Sequence, residues 1–328
     1  MKRVNNIYEK IISIENLNLA DENARKKKEK TYGVKLHDKN KESNIQKLHD
    51  ILKNKQHKTS EYRIFKIYEP KERTIYQLPY FPDRIVHHAI MNILEPIWVN
   101  AFIRHTYSCI KRRGIHGCQY AVKRAMRDIE GTKYCLKIDI RKFYPSIDHD
   151  ILKAIIRKKI KCKDTLDLID EIIDSAEGVP IGNYLSQYMA NLYLTYFDHW
   201  IKEDLKVKYY FRYADDMVFL SHSKEYLHSL LVQINDYLSE NLNLCLKGNY
   251  QVFPIEERGL DFVGYVIRPD YVLIRKSIKT KFTRKARRLK KKGVDEKTFK
   301  QKTASWYGWC KHSDSINLLK KYSYGSIL

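Results

Sequence analysis

Two neighbouring carboxylates, Asp215 and Asp216, stand between the β-prone runs Val207-Lys208-Tyr209-Tyr210-Phe211-Arg212 and Met217-Val218-Phe219-Leu220. Apolar stretches broken by a short acidic step read as two strands and a tight turn, which puts the acids of Tyr213-Ala214-Asp215-Asp216 at a hairpin tip. Adjacent carboxylates repel, and both stay ionised in water or beside a bound cation. Alone, an Asp-Asp pair is more often an ordinary solvated turn, because Asp is a favoured turn residue. A third acid shifts that balance. Asp139 ends Tyr134-Cys135-Leu136-Lys137-Ile138-Asp139, a second alternating strand; paired beside the hairpin, it reaches the same point as Asp215. Three acids on a strand end and a neighbouring turn suit two-metal phosphoryl transfer, one ion activating the attacking hydroxyl and both steadying the in-line transition state. Magnesium fits such donors, since it takes one or two carboxylates, keeps several waters and completes its octahedron with substrate phosphates.

A polyanionic partner follows from the charge. The 328 residues carry a formal net charge of +23, with a pI near 9.5, and each phosphate neutralised by such a surface releases counterions. The length allows two or three subdomains around a real core. No stretch approaches the roughly 18 to 20 apolar residues of a spanning helix, and residues 1–9 lack the apolar core of a secretory signal. A soluble, cytoplasmic protein with no membrane partner is expected. Six cysteines without a Cys-x-x-Cys pair argue against a zinc site or a disulfide framework.

Along the chain, Ile7, Ile11, Ile12 and Ile14 lead a helical pattern that ends before Arg25-Lys26-Lys27-Lys28, a basic run that reads equally as a solvated face or an RNA contact. Ile45, Leu48, Ile51 and Leu52 mark an amphipathic helix. Strands over 62–68 and 73–78 flank the turn Glu69-Pro70-Lys71-Glu72. Pro82-Asp83-Arg84 opens a helix that ends at Leu94-Glu95-Pro96-Ile97. In it, His87 and His88 point about 100° apart and cannot readily share an ion. Residues 104–116 read as a basic loop, 148–160 and 165–175 as helices, 185–205 as one long helix and 223–241 as another. Leu242-Asn243-Leu244-Cys245-Leu246-Lys247 alternates like a strand. From Arg275 to Lys302 there are fourteen Lys or Arg against Asp295 and Glu296. Ile278, Phe282, Ala286 and Leu289 nevertheless recur at helical spacing, giving an apolar stripe on a basic helix, with Trp306, Trp309, Leu318 and Leu319 to close around it.

Tyr-Ala-Asp-Asp, preceded by Asp139-Ile140-Arg141-Lys142-Phe143-Tyr144-Pro145-Ser146-Ile147 and by Gly182-Asn183-Tyr184-Leu185-Ser186-Gln187, resembles the reverse transcriptases in order and spacing, over about residues 62–264. Ile181 where many relatives carry Gln, and Gln187 where many carry Pro, look like the diversity-generating retroelement branch. The resemblance implies an α+β right-hand polymerase: fingers with an N-terminal extension over 1–130, a palm with an antiparallel sheet and helices on one face over 131–274, into which helices at 147–178 are inserted from the fingers side, and a basic helical thumb over 275–328.

It also implies roles. Asp139, Asp215, Asp216 and the Ile140 carbonyl would hold two Mg2+ ions, for which Mn2+ substitutes. Lys247 would protonate departing pyrophosphate. Lys66 and Arg73 would meet the incoming triphosphate. Tyr144 would pack under the sugar and refuse a 2′-hydroxyl, with Ile181 and Gly182 against the nascent pair; the bare Gly182 lets the loop lie close. Ser186, Gln187, Tyr213, Phe262 and Gly264 would contact template or primer. The partners would be a template RNA, the RNA/cDNA duplex, deoxynucleoside triphosphates and, in the retroelement branch, a small basic pentameric accessory protein. That branch misincorporates opposite adenine. A retron or antiphage-defence enzyme, or a polymerase fold kept only for RNA binding, are the alternatives.

Overall fold

The computed structural model describes residues 3–68 and 72–322, so Met1, Lys2 and the expected turn at Glu69-Pro70-Lys71 lie outside the described residues. The chain opens with helices α1 (Tyr8–Ile12), α2 (Ile14–Arg25), α3 (Tyr32–Asp38) and α4 (Lys41–Lys53), then strands β1 (Arg63–Ile67) and β2 (Arg73–Gln77), then α5 (Ile85–Val99) and α6 (Gly114–Ala125). Strand β3 (Tyr134–Asp139) precedes α7 (His149–Arg157), α8 (Lys163–Asp174), α9 (Tyr184–Tyr193) and α10 (Thr195–His199). Strands β4 (Tyr209–Tyr213) and β5 (Asp216–Ser221), α11 (Lys224–Leu242), β6 (Gln251–Pro254) and α12 (Ile255–Arg258) follow. Strands β7 (Leu260–Phe262), β8 (Tyr265–Ile267) and β9 (Val272–Ile274) lead to α13 (Lys276–Lys291), α14 (Glu296–Lys311) and α15 (Ile316–Tyr322). The mixture of helices with antiparallel sheets is the expected α+β class.

Two compact units emerge. The first comprises Met1–Arg104, Ile140–Leu205 and Asn235–Leu246. Its centre is α5, whose residues Val86, Ala89, Ile90, Leu94 and Trp98 are all buried, as a helix covered by neighbours on several sides requires. Helices α2 and α9 pack against it, and buried Asn16 donates its side-chain amide to the carbonyls of Ile11 and Ala89. Asp148 caps α7 by accepting from the Ile151 N–H at 3.1 Å. The β1–β2 hairpin belongs to this unit and is largely exposed.

The second unit comprises His105–Asp139, Lys206–Ile234 and Lys247–Leu328. It holds a four-stranded sheet in the order β4-β5-β3-β6 and a three-stranded sheet β7-β8-β9, both antiparallel. One core joins them: Cys135, Phe211, Val218, Phe262 and Tyr265 of the strands pack with Phe282, Ala286, Leu289 and Phe299 of α13 and α14. The apolar stripe expected at helical spacing on the basic segment is therefore what anchors it to the strands.

Several expectations need correction. Residues 242–247 form no strand, making only an isolated bridge from Leu246 to Ile140; the fourth strand is β6. The helix expected over 185–205 breaks at Leu194, whose φ of −94° and ψ of 2° leave the helical region, so α9 and α10 are separate. His116 sits in α6, not in a loop. Pro82-Asp83-Arg84 do open a helix as expected: after the extended Phe81 (φ −110°, ψ 133°) they form a helical turn that runs directly into α5, and buried Asp83 accepts from the Ser60 N–H. Helix α5 then runs through Pro96 to Val99. Arg25 of the basic run pairs with Asp21 at 2.7 Å and Asp38 at 2.9 Å, so its first task is to tie α2 down. All six cysteines are free. Among the described residues no helix is long and apolar enough to cross a membrane.

Candidate active site

Strands β4 and β5 form the acidic hairpin, with Tyr213 paired to Asp216 and only Ala214 and Asp215 between them. Ala214 takes a φ of 55°, the positive value that lets a two-residue connection follow the twist of its strands. On the other side of β5, β3 pairs in a register that sets Asp139 opposite Asp216. Partners in such a ladder have Cα atoms about 4.5–5.5 Å apart. The acid facing Asp139 is therefore Asp216, and Asp215 occupies the turn beside it. Ile140 is buried.

Two lysines stand at these acids. Lys247 donates its backbone N–H to the Asp139 carbonyl at 2.9 Å and brings Nζ to 2.5 Å from Asp139 Oδ1. Lys137, two residues before Asp139 on the same face of β3, brings Nζ to 3.8 Å from Asp216 Oδ1. That oxygen is buried and has no hydrogen-bond partner. Burial pushes the Asp216 carboxyl up to about 6; Lys137 and Arg275 oppose the rise, while Asp139 and Asp215 add to it. Among the described residues no three His, Cys, Asp or Glu side chains converge into a ready cage for an ion, and the lysine on Asp139 accounts for that acid being engaged elsewhere. The donors nevertheless suit a hard divalent cation: an orphaned, sealed carboxylate oxygen flanked by two further acids is the group such an ion would satisfy.

Beside the acids, β7 and β8 form a short hairpin across Phe262-Val263-Gly264-Tyr265. Phe262 is fully buried, and Tyr213 packs half-buried against the same core. Gly264 has a φ of 87°, and a Cβ there would lie 2.5 Å from the Trp309 ring of α14, so only glycine fits. Arg275, at the start of α13, binds the Asp261 carboxylate through Nε at 2.6 Å and donates its backbone N–H to the Gly264 carbonyl. The hairpin is thus fastened to the basic helices.

The profile of the reverse transcriptase (RNA-dependent DNA polymerase) family matches residues 45–267. The chain belongs to the reverse transcriptase family. Protein YkfC of Escherichia coli is 23% identical over 233 residues, covering 57% of this chain and 61% of that protein. The group II intron-encoded protein LtrA of Lactococcus lactis is 28% identical over 145 residues, covering 40% of this chain and 23% of that protein. Among solved structures, apo telomerase of Candida tropicalis superposes with a TM-score of 0.53 at 13% identity, covering 70% of this chain and 50% of that one. Telomerase of Candida albicans, in complex with a fragment of telomeric RNA, gives 0.51 at 11% identity, covering 71% and 51%. The chain spans less than two thirds of the length of each of these relatives. The fold is the expected right-hand polymerase fold.

The other residues singled out in this chain lie in the first unit. Lys66 on β1 pairs with Glu72 at 2.8 Å in an exposed ion pair, and Arg73 opens β2, exposed. Tyr144 is fixed by its backbone: its carbonyl accepts from the Val179 N–H at 2.9 Å, beside the buried Phe143 ring. Ile181 accepts from the Tyr76 N–H at 2.8 Å. Gly182 has a φ of 133°, and a Cβ on it would lie 2.4 Å from the Tyr76 carbonyl oxygen. Next to it opens a cavity of about 810 Å³ whose lining includes Lys28, Tyr32, Arg63, Arg84 and Tyr184. On α9, Ser186 is buried and Gln187 exposed. His87 and His88 are both buried, with His88 stacked on Tyr184 at 4.2 Å, so packing is their role.

Sequence reasoning missed two residues. Arg212 on β4 is fully buried and donates to the Ala214 carbonyl at 3.0 Å, bracing the acidic turn from beneath. Lys137 was the other. In both cases the signal was a long cation inside an otherwise apolar strand, where such a residue persists only with partners.

Proposed function

We propose that this chain is an RNA-directed DNA polymerase that copies a template RNA into cDNA. The observation that carries the reading is the register of Asp139 against Asp216 beside Asp215, within a family profile covering most of the chain. Asp139, Asp215, Asp216 and the Ile140 carbonyl would hold divalent ions, Mg2+ or in its place Mn2+. When bound, such ions supply Lewis-acid activation of the primer hydroxyl and neutralise charge at the transferring phosphate. The primer 3′-hydroxyl attacks the α-phosphate of a deoxynucleoside triphosphate, and pyrophosphate leaves. Arg73 and Lys66 clamp the triphosphate, Lys66 leaving a surface ion pair with Glu72 that holds it weakly. Tyr144 excludes a 2′-hydroxyl by bulk. Lys247, whose Nζ lies at the Asp139 carboxylate, gives its proton to the leaving pyrophosphate. Orientation and electrostatics provide most of the acceleration.

In this reading residues 1–130 are the fingers and N-terminal extension, 131–274 the palm, and 275–328 a thumb whose basic face follows the RNA/cDNA duplex. Gln187, exposed, and Tyr213, half-buried, line template or primer, while Ser186, Phe262 and Gly264 are buried and shape that surface from behind. The cationic and aromatic cavity beside Gly182 suits single-stranded RNA, which binds by backbone charge and base stacking. The cellular setting is the cytoplasm.

The branch is that of diversity-generating retroelements, working with a small basic pentameric accessory protein. Ile181, an apolar side chain in place of Gln, lowers base discrimination at template adenines. Sequencing cDNA from Ile181→Gln tests this: an error rate at adenines unchanged from the parent rejects the role.

The polymerase reading itself is tested by Mg2+-dependent incorporation of labelled deoxynucleotide on a primed RNA. Asp139→Asn and Asp215→Asn lose extension by about 10³-fold or more and still bind the RNA; activity equal to the parent in either variant ends the proposal.

A further inference from the structure

Lys137 lies in β3, an interior strand of the four-stranded sheet. It is preceded and followed by the buried residues Leu136 and Ile138, and its neighbour two positions back on the same face is fully buried Cys135. Its own side chain stays 24% exposed, and its ammonium turns to partners. It finds three. Nζ donates to the backbone carbonyl of Asp261 at 2.7 Å, lies 6.0 Å from the centre of the Phe262 ring, and stands 3.8 Å from Asp216 Oδ1. The direct hydrogen bond goes to a neutral carbonyl, because the Asp261 carboxylate is already taken by Arg275. The positive charge of Lys137 is therefore left to act on Asp216, close enough for attraction and too far for a hydrogen bond. Lys247 differs: it sits directly on Asp139 at 2.5 Å.

We infer that Lys137 is a positioning residue that sets the divalent-ion affinity of the acid site, by holding one positive charge beside the otherwise unpartnered oxygen of Asp216. The inference rests on the two-ion reading above and goes beyond it. The tether defines the effect. Asp261 belongs to β7, the strand that leads into the Gly264 turn, and the same residue binds Arg275 at the start of α13. The ammonium is thus anchored to the hairpin rather than to the acids, so it restrains ion binding without closing the site. A fixed cation at this distance repels an incoming divalent ion and compensates the carboxylate while no ion is bound.

The test measures Mn2+ binding to the full chain without nucleotide or RNA, by the loss of the free-ion electron paramagnetic signal. Lys137→Gln keeps an N–H donor for the Asp261 carbonyl while removing the charge, and Lys137→Met keeps the stem. Both bind Mn2+ tighter than the parent, by about fivefold or more, whereas Lys137→Arg stays within about twofold of it. The Mg2+ concentration for half-maximal extension moves down in the two neutral variants. Thermal melting verifies that each variant is folded, and the Gln and Arg pair decides the matter if the Met variant is not. Unchanged or weaker Mn2+ binding in folded Lys137→Gln overturns the inference. Asp215→Asn separates the two failures. If it leaves Mn2+ binding unchanged, the two-ion reading fails; if it weakens binding while Lys137→Gln does not strengthen it, only the role of Lys137 fails.

Discussion

Asp139 and Asp216 face each other across β3 and β5, with one Asp216 oxygen sealed from water and from every hydrogen-bond donor. Burial first, then the two neighbouring acids, raise the Asp216 carboxyl from 3.8 to about 6. The folded chain therefore keeps a proton that the unfolded chain has already released, and the contribution of Asp216 to stability declines as pH rises from about 3.8 through 6.

Asp216→Asn removes that penalty. The ion-free variant melts higher than the parent at pH 7.5, by roughly 2–4 °C, and the gain shrinks at pH 5. Scanning calorimetry at the two pH values checks it; a gain of equal size at both contradicts the burial argument.

Buried imidazoles produce the opposite slope. Burial holds His87 down to about 3 and His88 down to about 4, against an ordinary value of 6.5. Both are neutral when folded, while the unfolded chain takes up protons below about pH 6.5, so their contribution to stability is lost as pH falls from there toward 4 and 3. His88→Phe retains a ring against Tyr184 and removes the titration. Urea midpoints between pH 7.5 and 5 should fall less steeply in this variant, and an identical slope would dismiss His88 as a source of acid lability.

Gly182→Ala forces a Cβ against the Tyr76 carbonyl in a left-handed backbone. The loop must shift away from β2, weakening the Tyr76 to Ile181 hydrogen bond, at a cost of about 1–3 kcal/mol. Urea unfolding reads the loss, and amide exchange at Tyr76 should speed up; a variant as stable as the parent would mean that the loop yields freely.

Arg212→Met tests the brace beneath the acidic turn. It deprives the Ala214 carbonyl of a charged donor, and a loss of about 1.5–3 kcal/mol is expected, with primer extension falling further than stability alone explains. Lysine is a poor substitute, because a compact ammonium cannot reproduce the planar guanidinium. Full extension activity in a stable Arg212→Met would show that the turn holds its shape unaided.

The acidic hairpin was legible because two apolar runs flank a short acidic step, and β3 because its apolar residues alternate up to a charged end; pairing those ends brought the acids together but set Asp139 against Asp215, where the register gives Asp216. Strand β6 was not: only Gln251-Val252-Phe253-Pro254 remains after an exposed turn, too short for a period to show. The competing pattern at Leu242, Leu244 and Leu246 imitates a strand although Leu242 closes α11 and the rest makes a single bridge. Helix α6 was hidden by Gly114, which reads as part of a basic loop until the buried face of Cys118, Val122 and Ala125 is seen. Lys137 and Arg212 escaped because a strand pattern says where a side chain points, not which distant backbone carbonyl will receive it.

Phe282, Ala286, Leu289, Phe299 and Cys310 fill the same interior as Cys135 and Val218 of the strands that carry the acids. A chain cut before α13 would open that interior to water, leaving the acids on a sheet stripped of one wall. The positively charged helices are therefore masonry for the acid-bearing sheet, and transplanting the first 275 residues alone would carry over the motifs without a stable floor for them.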